Sequence, residues 1–193
     1  MNRRNSGIKI WVFTAAVGLL TAGCANTDTK TSPEAASAPF GGPDSIAYSQ
    51  KLWKAMEAGS FVGAGAVISK PYQGTHPHGA VLDTIEGTVT VDGHSGRVIV
   101  KRNYGGDGVT VAKVADDPAA YLGAVTVMYK REQGYDADNQ NWFWVKYKPD
   151  GSLHLNPKGM QLAGRVAKGK PAGCIACHQS APGGDYTFNN DRQ

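Results

Sequence analysis

Near the end of the chain, two cysteines are separated by two residues and followed at once by a histidine, in the segment Cys174–His178 (CIACH). On one helical turn this spacing turns both thiols the same way, so that each can add across a vinyl group of haem. The next residue then offers its imidazole to the iron. The pattern predicts one covalently bound haem c, with Cys174 and Cys177 as the thioether positions and His178 as the proximal iron ligand.

Three other uses of the two thiols have less support. A zinc site needs a second pair of ligands, and no other CxxC or closely spaced Cys/His pair follows this segment. A thioredoxin-like CxxC normally lies between a strand and a helix near the start of a domain, not in a glycine-rich C-terminal segment. A structural disulfide would leave the histidine without a role, whereas haem attachment uses all three residues.

The N-terminus has the composition of an export signal. Three basic residues precede a nearly unbroken apolar run, residues 10–22, which is too short for a comfortable membrane span. Cys24 follows in a setting similar to a lipoprotein cleavage site, although a threonine stands where an aliphatic residue is usual. We expect residues 1–23 to be a signal peptide and Cys24 to carry a lipid that tethers the protein to the outer membrane in the periplasm. The alternative is ordinary cleavage, which would also export the protein.

Charge and cysteine usage agree with export. The chain has 20 Lys and Arg against 16 Asp and Glu, and removing the three basic residues of the signal leaves 17 against 16, a net charge of +1. Nothing in this balance indicates a nucleic acid partner. Of the three cysteines, Cys24 belongs to the signal boundary and the other two to the haem segment, which leaves none for a structural disulfide in an oxidising compartment.

After the signal, the chain divides into a tether and one domain. Residues 24–43 are rich in Thr, Ser, Ala and Pro without a hydrophobic period, and they predict a disordered tether. Residues 44–193 predict a single haem domain of the α+β class. Its first element is an amphipathic helix that is capped by Asp44 or Ser45 and ended by Gly59.

Four to five strands follow this helix and predict a mainly antiparallel sheet on which the helix packs. The strand candidates are residues 81–91, 97–104, 109–114, 122–130 and 142–147. In the second of these, Val98 and Val100 face one side of the sheet. Ile99 and Lys101 face the other side. Residues 160–168 predict a short helix, and the haem segment itself predicts a second short helix at the C-terminal end.

Three segments carry a family resemblance. They are the aromatic strand WFWVKY at residues 142–147 with the Pro-Asp that follows closely, the CIACH segment with DYTF at residues 185–188, and the strand GRVIVK at residues 96–101. In this order they resemble the cytochrome P460 family, and the resemblance covers about residues 44–192. It implies a β-sheet domain with a C-terminal haem motif, related to the cytochromes c′-beta.

The resemblance also implies two roles on the strands. A strand lysine in this family is joined covalently to a meso carbon of the haem, and the matching residue is Lys101, although a solvated strand lysine is the alternative from the residues alone. Family members that oxidise hydroxylamine keep a carboxylate above the iron. The matching distal position is Thr126, which cannot act as a base near neutral pH, and Glu132 is the nearest acid on this segment.

The implied function is redox conversion of hydroxylamine or nitric oxide at an open position on the iron, with electrons passed to a periplasmic cytochrome. Two alternatives remain open. One is a module that binds nitric oxide or another gas without turnover, as in the cytochromes c′-beta. The other is a simple electron carrier with six-coordinate iron. The family resemblance further implies a homodimer.

Other residues are weaker candidates for the site. The segment THPHG at residues 75–79 carries two histidines but no further ligands, so we expect a structural loop there rather than a metal site. Met128 is a candidate sixth iron ligand, although a strand methionine more often packs. Phe61 and Phe143 are candidate distal walls, with core packing as the alternative.

Overall fold

The structure is a computed structural model that describes residues 38–188. The predicted signal peptide (residues 1–23), the lipidation site Cys24 and the tether residues up to 37 lie outside the described part of the chain. Pairing with the sheet begins before the expected start of the domain, because Phe40 forms a β-bridge with Gly164. No helix within residues 38–188 is long and apolar enough to cross a membrane.

Helix α1 spans Pro43–Ala58 and has Gly42 as its N-cap. The expected caps, Asp44 and Ser45, lie inside the helix instead, because a proline occupies the first turn, where its fixed φ suits a helix start and its missing N–H is not needed. The carboxylate of Asp44 lies in that first turn, where negative charge is favourable. The helix ends before Gly59, whose N–H bonds back to the last turn.

Six strands form one antiparallel sheet, in the order in which they occur along the chain. They are β1 Tyr72–Gln73, β2 Val81–Val91, β3 His94–Tyr104, β4 Leu122–Lys130, β5 Trp142–Tyr147 and β6 Ala163–Gly164. The predicted α+β class with an antiparallel sheet is confirmed. The described residues form more strands than the four to five expected, because β1 and β6 have two residues each and leave no periodic pattern in the sequence.

Strands β2 and β3 form the long hairpin of this sheet. Each has 11 residues, and they pair along their whole length. The turn between them is Asp92 and Gly93, with φ values of 50° and 81°, which is the backbone conformation that favours Asp-Gly in two-residue hairpins. Strand β3 begins at His94, three residues before the start predicted at residue 97.

The predicted strand at residues 109–114 is wrong. This segment enters helix α2, Val111–Asp116, which is followed by the short helix α3, Pro118–Tyr121. The hydroxyl of Thr110 accepts a hydrogen bond from the backbone N–H of Lys113 at 3.2 Å, which satisfies one of the free N–H groups of a helix start. The β-branched residues of this segment also suit a strand, but the N-cap at Thr110 favours the helix.

The predicted helix at residues 160–168 is also wrong. Within it, β6 pairs with β5, and the chain then continues through turns to the haem segment. Gly164 has a φ of 118°, which a right-handed helix does not contain. The pairing with β5 therefore overrides the local helical pattern of these residues.

The two faces of the sheet pack against different parts of the chain. One face is covered by α1, and its shared core includes Leu52, Trp53, Met56, Val98, Val100, Phe143 and Tyr147. The other face packs against the C-terminal segment, in a cluster of Ile99, Met128, Trp142, Trp144, Val166, Ile175 and Tyr186. The alternation predicted for β3 is therefore observed, with its valines toward α1 and Ile99 toward the C-terminal segment.

A buried ion pair ties the loop after α1 to the sheet. Arg102 Nη1 donates to Asp83 Oδ1 at 2.6 Å, and these side chains are 3% and 0% exposed. The Nη2 atom of the same guanidinium donates to the carbonyl oxygens of Phe61 at 2.6 Å and Val67 at 3.0 Å. The hydroxyl of Tyr104 donates to Asp83 Oδ2 at 2.5 Å, and burial together with this bond raises the pKa of Tyr104. Both buried charges thus have hydrogen-bonded partners.

Candidate haem site

A cavity of about 590 Å³ lies on the face of the sheet that α1 does not cover. Strands β3, β4 and β5, the loop before β2 and the C-terminal segment all contribute to its walls. Its lining includes the apolar residues Phe40, Ile99, Met128, Trp144, Val166 and Phe188. The volume is typical of a site for a small molecule or cofactor.

The CIACH segment forms helix α4, Cys174–His178, along one wall of this cavity. Cys174 is half-buried and Cys177 is exposed, and both are free thiols that line the cavity. Burial raises the pKa of the Cys174 thiol. The two thiols are three residues apart on one helical turn, so both are available to the same bound molecule.

His178 lies at the end of α4 and is 9% exposed. Its Nδ1–H donates to the backbone carbonyl of Tyr186 at 2.7 Å. This bond assigns the proton of the neutral ring to Nδ1 and leaves the lone pair on Nε2, which is the usual arrangement of a histidine that binds a metal. The rings of Trp144 and Phe188 pack edge-on against the imidazole, with ring centres at 4.9 Å and 5.4 Å, and they hold its orientation.

Lys101 lies on β3 and lines the cavity, on the same face of the sheet as Ile99. Its position in the register is opposite Thr126 of β4, which is in turn opposite Lys146 of β5. Lys146 also lines the cavity, and the sequence did not single it out. The structure thus places Lys101 on the wall of the cavity that the CIACH segment also lines, and Lys146, two strands away, is a second lysine on this wall.

Thr126 lines the same cavity and is half-buried. Its Oγ1 lies 3.1 Å from Asn103 Oδ1, 3.3 Å from the carbonyl oxygen of Lys101 and 3.4 Å from His78 Nδ1. Glu132 pairs with Arg131 in solvent instead. Among the described residues, no Asp or Glu lines the cavity. The site therefore offers hydroxyl, amide, amine and imidazole groups, but no carboxylate base.

His78 lies in the loop that the sequence predicted at residues 75–79, and the structure places this loop at the cavity. His78 is half-buried and lines the cavity, whereas His76 of the same loop is exposed. Its ring centre lies 6.0 Å from that of His178, and the two ring planes are 88° apart. The His-Pro-His segment was visible in the sequence, but only the folded sheet brings it to a haem motif about a hundred residues later.

The phenylalanines that line the cavity differ from the two candidates, Phe61 and Phe143, that the sequence suggested. Phe143 is buried in the core beneath α1, and Phe61 packs against the same core, so both lie on the other side of the sheet. Phe40 and Phe188 line the cavity in their place. Met128 lines the cavity and is 7% exposed, which leaves it among the candidate contacts of a bound group.

The cavity residues fit a haem c. Two thiols and the imidazole of His178 meet at one wall, and the other walls are largely apolar, as a porphyrin requires. Trp144 lines the cavity, and its Nε1–H is buried without a hydrogen-bond partner. A buried donor of this kind is costly unless a bound acceptor satisfies it, and the carboxylate groups of haem are such acceptors.

Comparison with known proteins agrees with this geometry. The family model described as Cytochrome P460 matches residues 28–189. No curated protein gives a significant match to the chain. No solved structure does so either.

Proposed function

Because the chain belongs to the cytochrome P460 family, it is a haem c cytochrome, and we propose that it converts a small nitrogen species at the iron. The substrate class is hydroxylamine or nitric oxide, and the electrons pass to or from a periplasmic cytochrome. The observation that carries the proposal is that Cys174, Cys177, His178 and Lys101 all line one apolar cavity.

The residues have separate parts in this proposal. Cys174 and Cys177 would hold the haem through thioether bonds, and His178 would bind its iron through Nε2. Bound haem supplies an iron that changes its charge by one electron at a time. The apolar walls exclude water and lower the local dielectric, and the hydrogen bond from His178 to the Tyr186 carbonyl would tune the basicity of the imidazole that binds the iron.

Thr126 is the proposed distal residue, and its hydroxyl can orient a small molecule but cannot take up its proton near neutral pH. Since no carboxylate lines the cavity among the described residues, nitric oxide suits the site better than hydroxylamine. The largely apolar lining also favours the second candidate, a module that binds nitric oxide without turnover.

We expect haem-dependent electron transfer when the loaded protein is mixed with hydroxylamine or nitric oxide and a one-electron acceptor without oxygen. Haem-free protein from a Cys174→Ala/Cys177→Ala variant is the control. Tight binding of nitric oxide without reduction of the acceptor would identify the gas-binding module instead. If neither ligand binds nor reacts, the remaining function is that of an electron carrier.

Lys101 is proposed to form a third covalent bond to the haem. In the wild-type protein, proteolysis followed by mass spectrometry should then recover the peptide that contains Lys101 joined through haem to the CIACH peptide. Lys101→Met should separate the two peptides and shift the absorption spectrum, with the haem still attached. Lys146→Met is the matched control, because Lys146 lines the same cavity and should leave the link intact. A free Lys101 peptide from the wild-type protein would contradict the bond.

Export, lipid attachment at Cys24 and a homodimer complete the proposal. A tether with one acylated cysteine keeps a soluble domain at a membrane surface, where it can meet a periplasmic electron-transfer partner. Detergent partitioning of a Cys24→Ser variant checks the lipid, and light scattering of the loaded protein checks the dimer.

A further inference from the structure

We propose that His78 is the second axial ligand of the haem iron, so that the resting protein holds its iron between His78 and His178. The proposal rests on the proposed function only in requiring that one haem c occupies the cavity. It revises the expectation of an open coordination position, and it assigns a role to a loop for which the family resemblance implies none.

The distance between the two histidine rings supports this ligand pair. A histidine nitrogen binds a transition metal at about 2 Å, and the ring centre lies about 1 Å behind that nitrogen, so two histidines on opposite sides of one iron have ring centres about 6 Å apart. The observed separation between the ring centres of His78 and His178 is 6.0 Å. Both rings line the cavity that also contains the two thiols.

The same distance argues against His78 as a proton acceptor for an iron-bound substrate. Such a base stands one hydrogen bond, about 3 Å, beyond the bound molecule, which would put the two ring centres roughly 9 Å apart. The observed 6.0 Å leaves no room for a ligand between His78 and an iron bound by His178. A base at this position would therefore need the loop to move, whereas a ligand does not.

The hydrogen bonds around His78 suit a histidine that binds metal through Nε2. Its Nδ1 lies 3.3 Å from the side-chain amide of Asn103 and 3.4 Å from Thr126 Oγ1. An asparagine amide can present either end at this position, and with its oxygen toward His78 it accepts the Nδ1–H. The amide nitrogen then donates to Thr126 Oγ1 over 3.1 Å, and the threonine hydroxyl donates to the Lys101 carbonyl over 3.3 Å. Asn103 and Thr126 thereby become positioning residues for the ligand.

The loop that carries His78 is itself held in place. The N–H of His78 donates to the Thr75 carbonyl at 3.0 Å, and the N–H of Gly74 donates to the Ala80 carbonyl at 2.8 Å. The N–H of Ala80 donates to the Tyr104 carbonyl at the end of β3 at 3.2 Å. These bonds fix both ends of the loop to the sheet. The loop therefore loses little conformational entropy when the imidazole of His78 binds the iron.

Ligation by His78 has a consequence for function. Nitric oxide or hydroxylamine reaches the iron only in molecules from which His78 has dissociated, so the apparent affinity falls by the fraction of such molecules. If His78 dissociates rarely, the protein works mainly as an electron carrier, because a six-coordinate iron exchanges electrons without exchanging ligands. How often His78 dissociates from the iron thus decides whether the protein binds a small nitrogen species or works as an electron carrier.

The test is the spin state of the ferric, haem-loaded full-length protein. We expect the wild-type absorption and EPR spectra to be low-spin. Because the two ring planes are 88° apart, the EPR signal should be the strongly anisotropic form given by perpendicular imidazoles. His78→Ala should lose the low-spin signal completely and become high-spin, and added imidazole should restore it.

Two variants serve as controls. His76→Ala changes the exposed histidine of the same loop and should remain low-spin, and Met128→Leu removes the other candidate ligand and should also remain low-spin. A high-spin wild-type protein, or a His78→Ala variant that stays low-spin without imidazole, would overturn the proposal. If His78→Ala does not accumulate, the wild-type EPR spectrum decides alone. A protein that takes up no haem refutes the proposed function as well, whereas five-coordinate haem refutes only the second ligand.

Discussion

Arg102→Met is expected to lower the free energy of unfolding by about 3–5 kcal/mol, because it leaves the carboxylate of Asp83 buried without its charged partner. The Asp83 side chain is 0% exposed, so water does not replace the lost guanidinium. The carbonyl oxygens of Phe61 and Val67 lose their donor at the same time. Denaturant titration of the haem-loaded protein measures the change.

Lys51→Met is the matched control for this variant. It also removes one cation of an ion pair, but the side chains of Lys51 and Asp92 are 56% and 52% exposed, and we expect a loss well under about 1 kcal/mol. The two substitutions therefore compare a buried and an exposed pair in one protein. Equal losses for both variants would show that Arg102 does not carry the buried network assigned to it.

The double variant Cys174→Ala/Cys177→Ala is expected to abolish covalent haem attachment. Both thioether bonds are lost, so haem is no longer held beside Lys101 for the proposed third bond to form, and His178 alone binds the iron too weakly to keep haem through denaturation. Intact mass spectrometry of the denatured protein should show the polypeptide without haem, and a haem stain on a denaturing gel should be negative.

Cys24→Ser is the control for this experiment, because it removes the third cysteine of the chain and should leave haem attachment unchanged. A double variant in which proteolysis still recovers haem joined to the peptide that contains α4 would show that the two thiols are not the attachment points, whereas haem joined only to the Lys101 peptide would come from the proposed lysine bond. A haem-free Cys24→Ser protein would show instead that loss of any cysteine disturbs maturation, and the double variant would then carry no information about α4.

The long strands could be predicted because each has a strong local pattern. Val81–Val91, Leu122–Lys130 and Trp142–Tyr147 are bounded by turn residues and rich in β-branched and aromatic side chains, and their ends agree with the prediction. The segments around residues 109–114 and 160–168 were predicted wrongly because their local patterns suit both helix and strand. A threonine cap decided the first, and pairing with β5 decided the second.

The residues of the candidate site likewise include some that the sequence predicted and one that it did not. Cys174, Cys177 and His178 lie in one short segment of the chain, so their spacing alone predicts that they bind the same haem. Lys101 was found through the family resemblance, and its place on the cavity follows from alternation along β3. His78 was not found, because its contribution depends on contacts with residues that are far away in the chain.

The sequence alone predicted the cofactor, the residues proposed to attach it and the class of the fold, since these predictions depend on short-range spacing and on the period of hydrophobic residues. The tertiary structure decided what stands opposite His178. The antiparallel sheet brings the loop before β2 across from α4. The ring centres of His78 and His178, which are a hundred residues apart in the chain, therefore lie 6.0 Å from each other. No local pattern encodes such a distance, because it is a property of the assembled sheet.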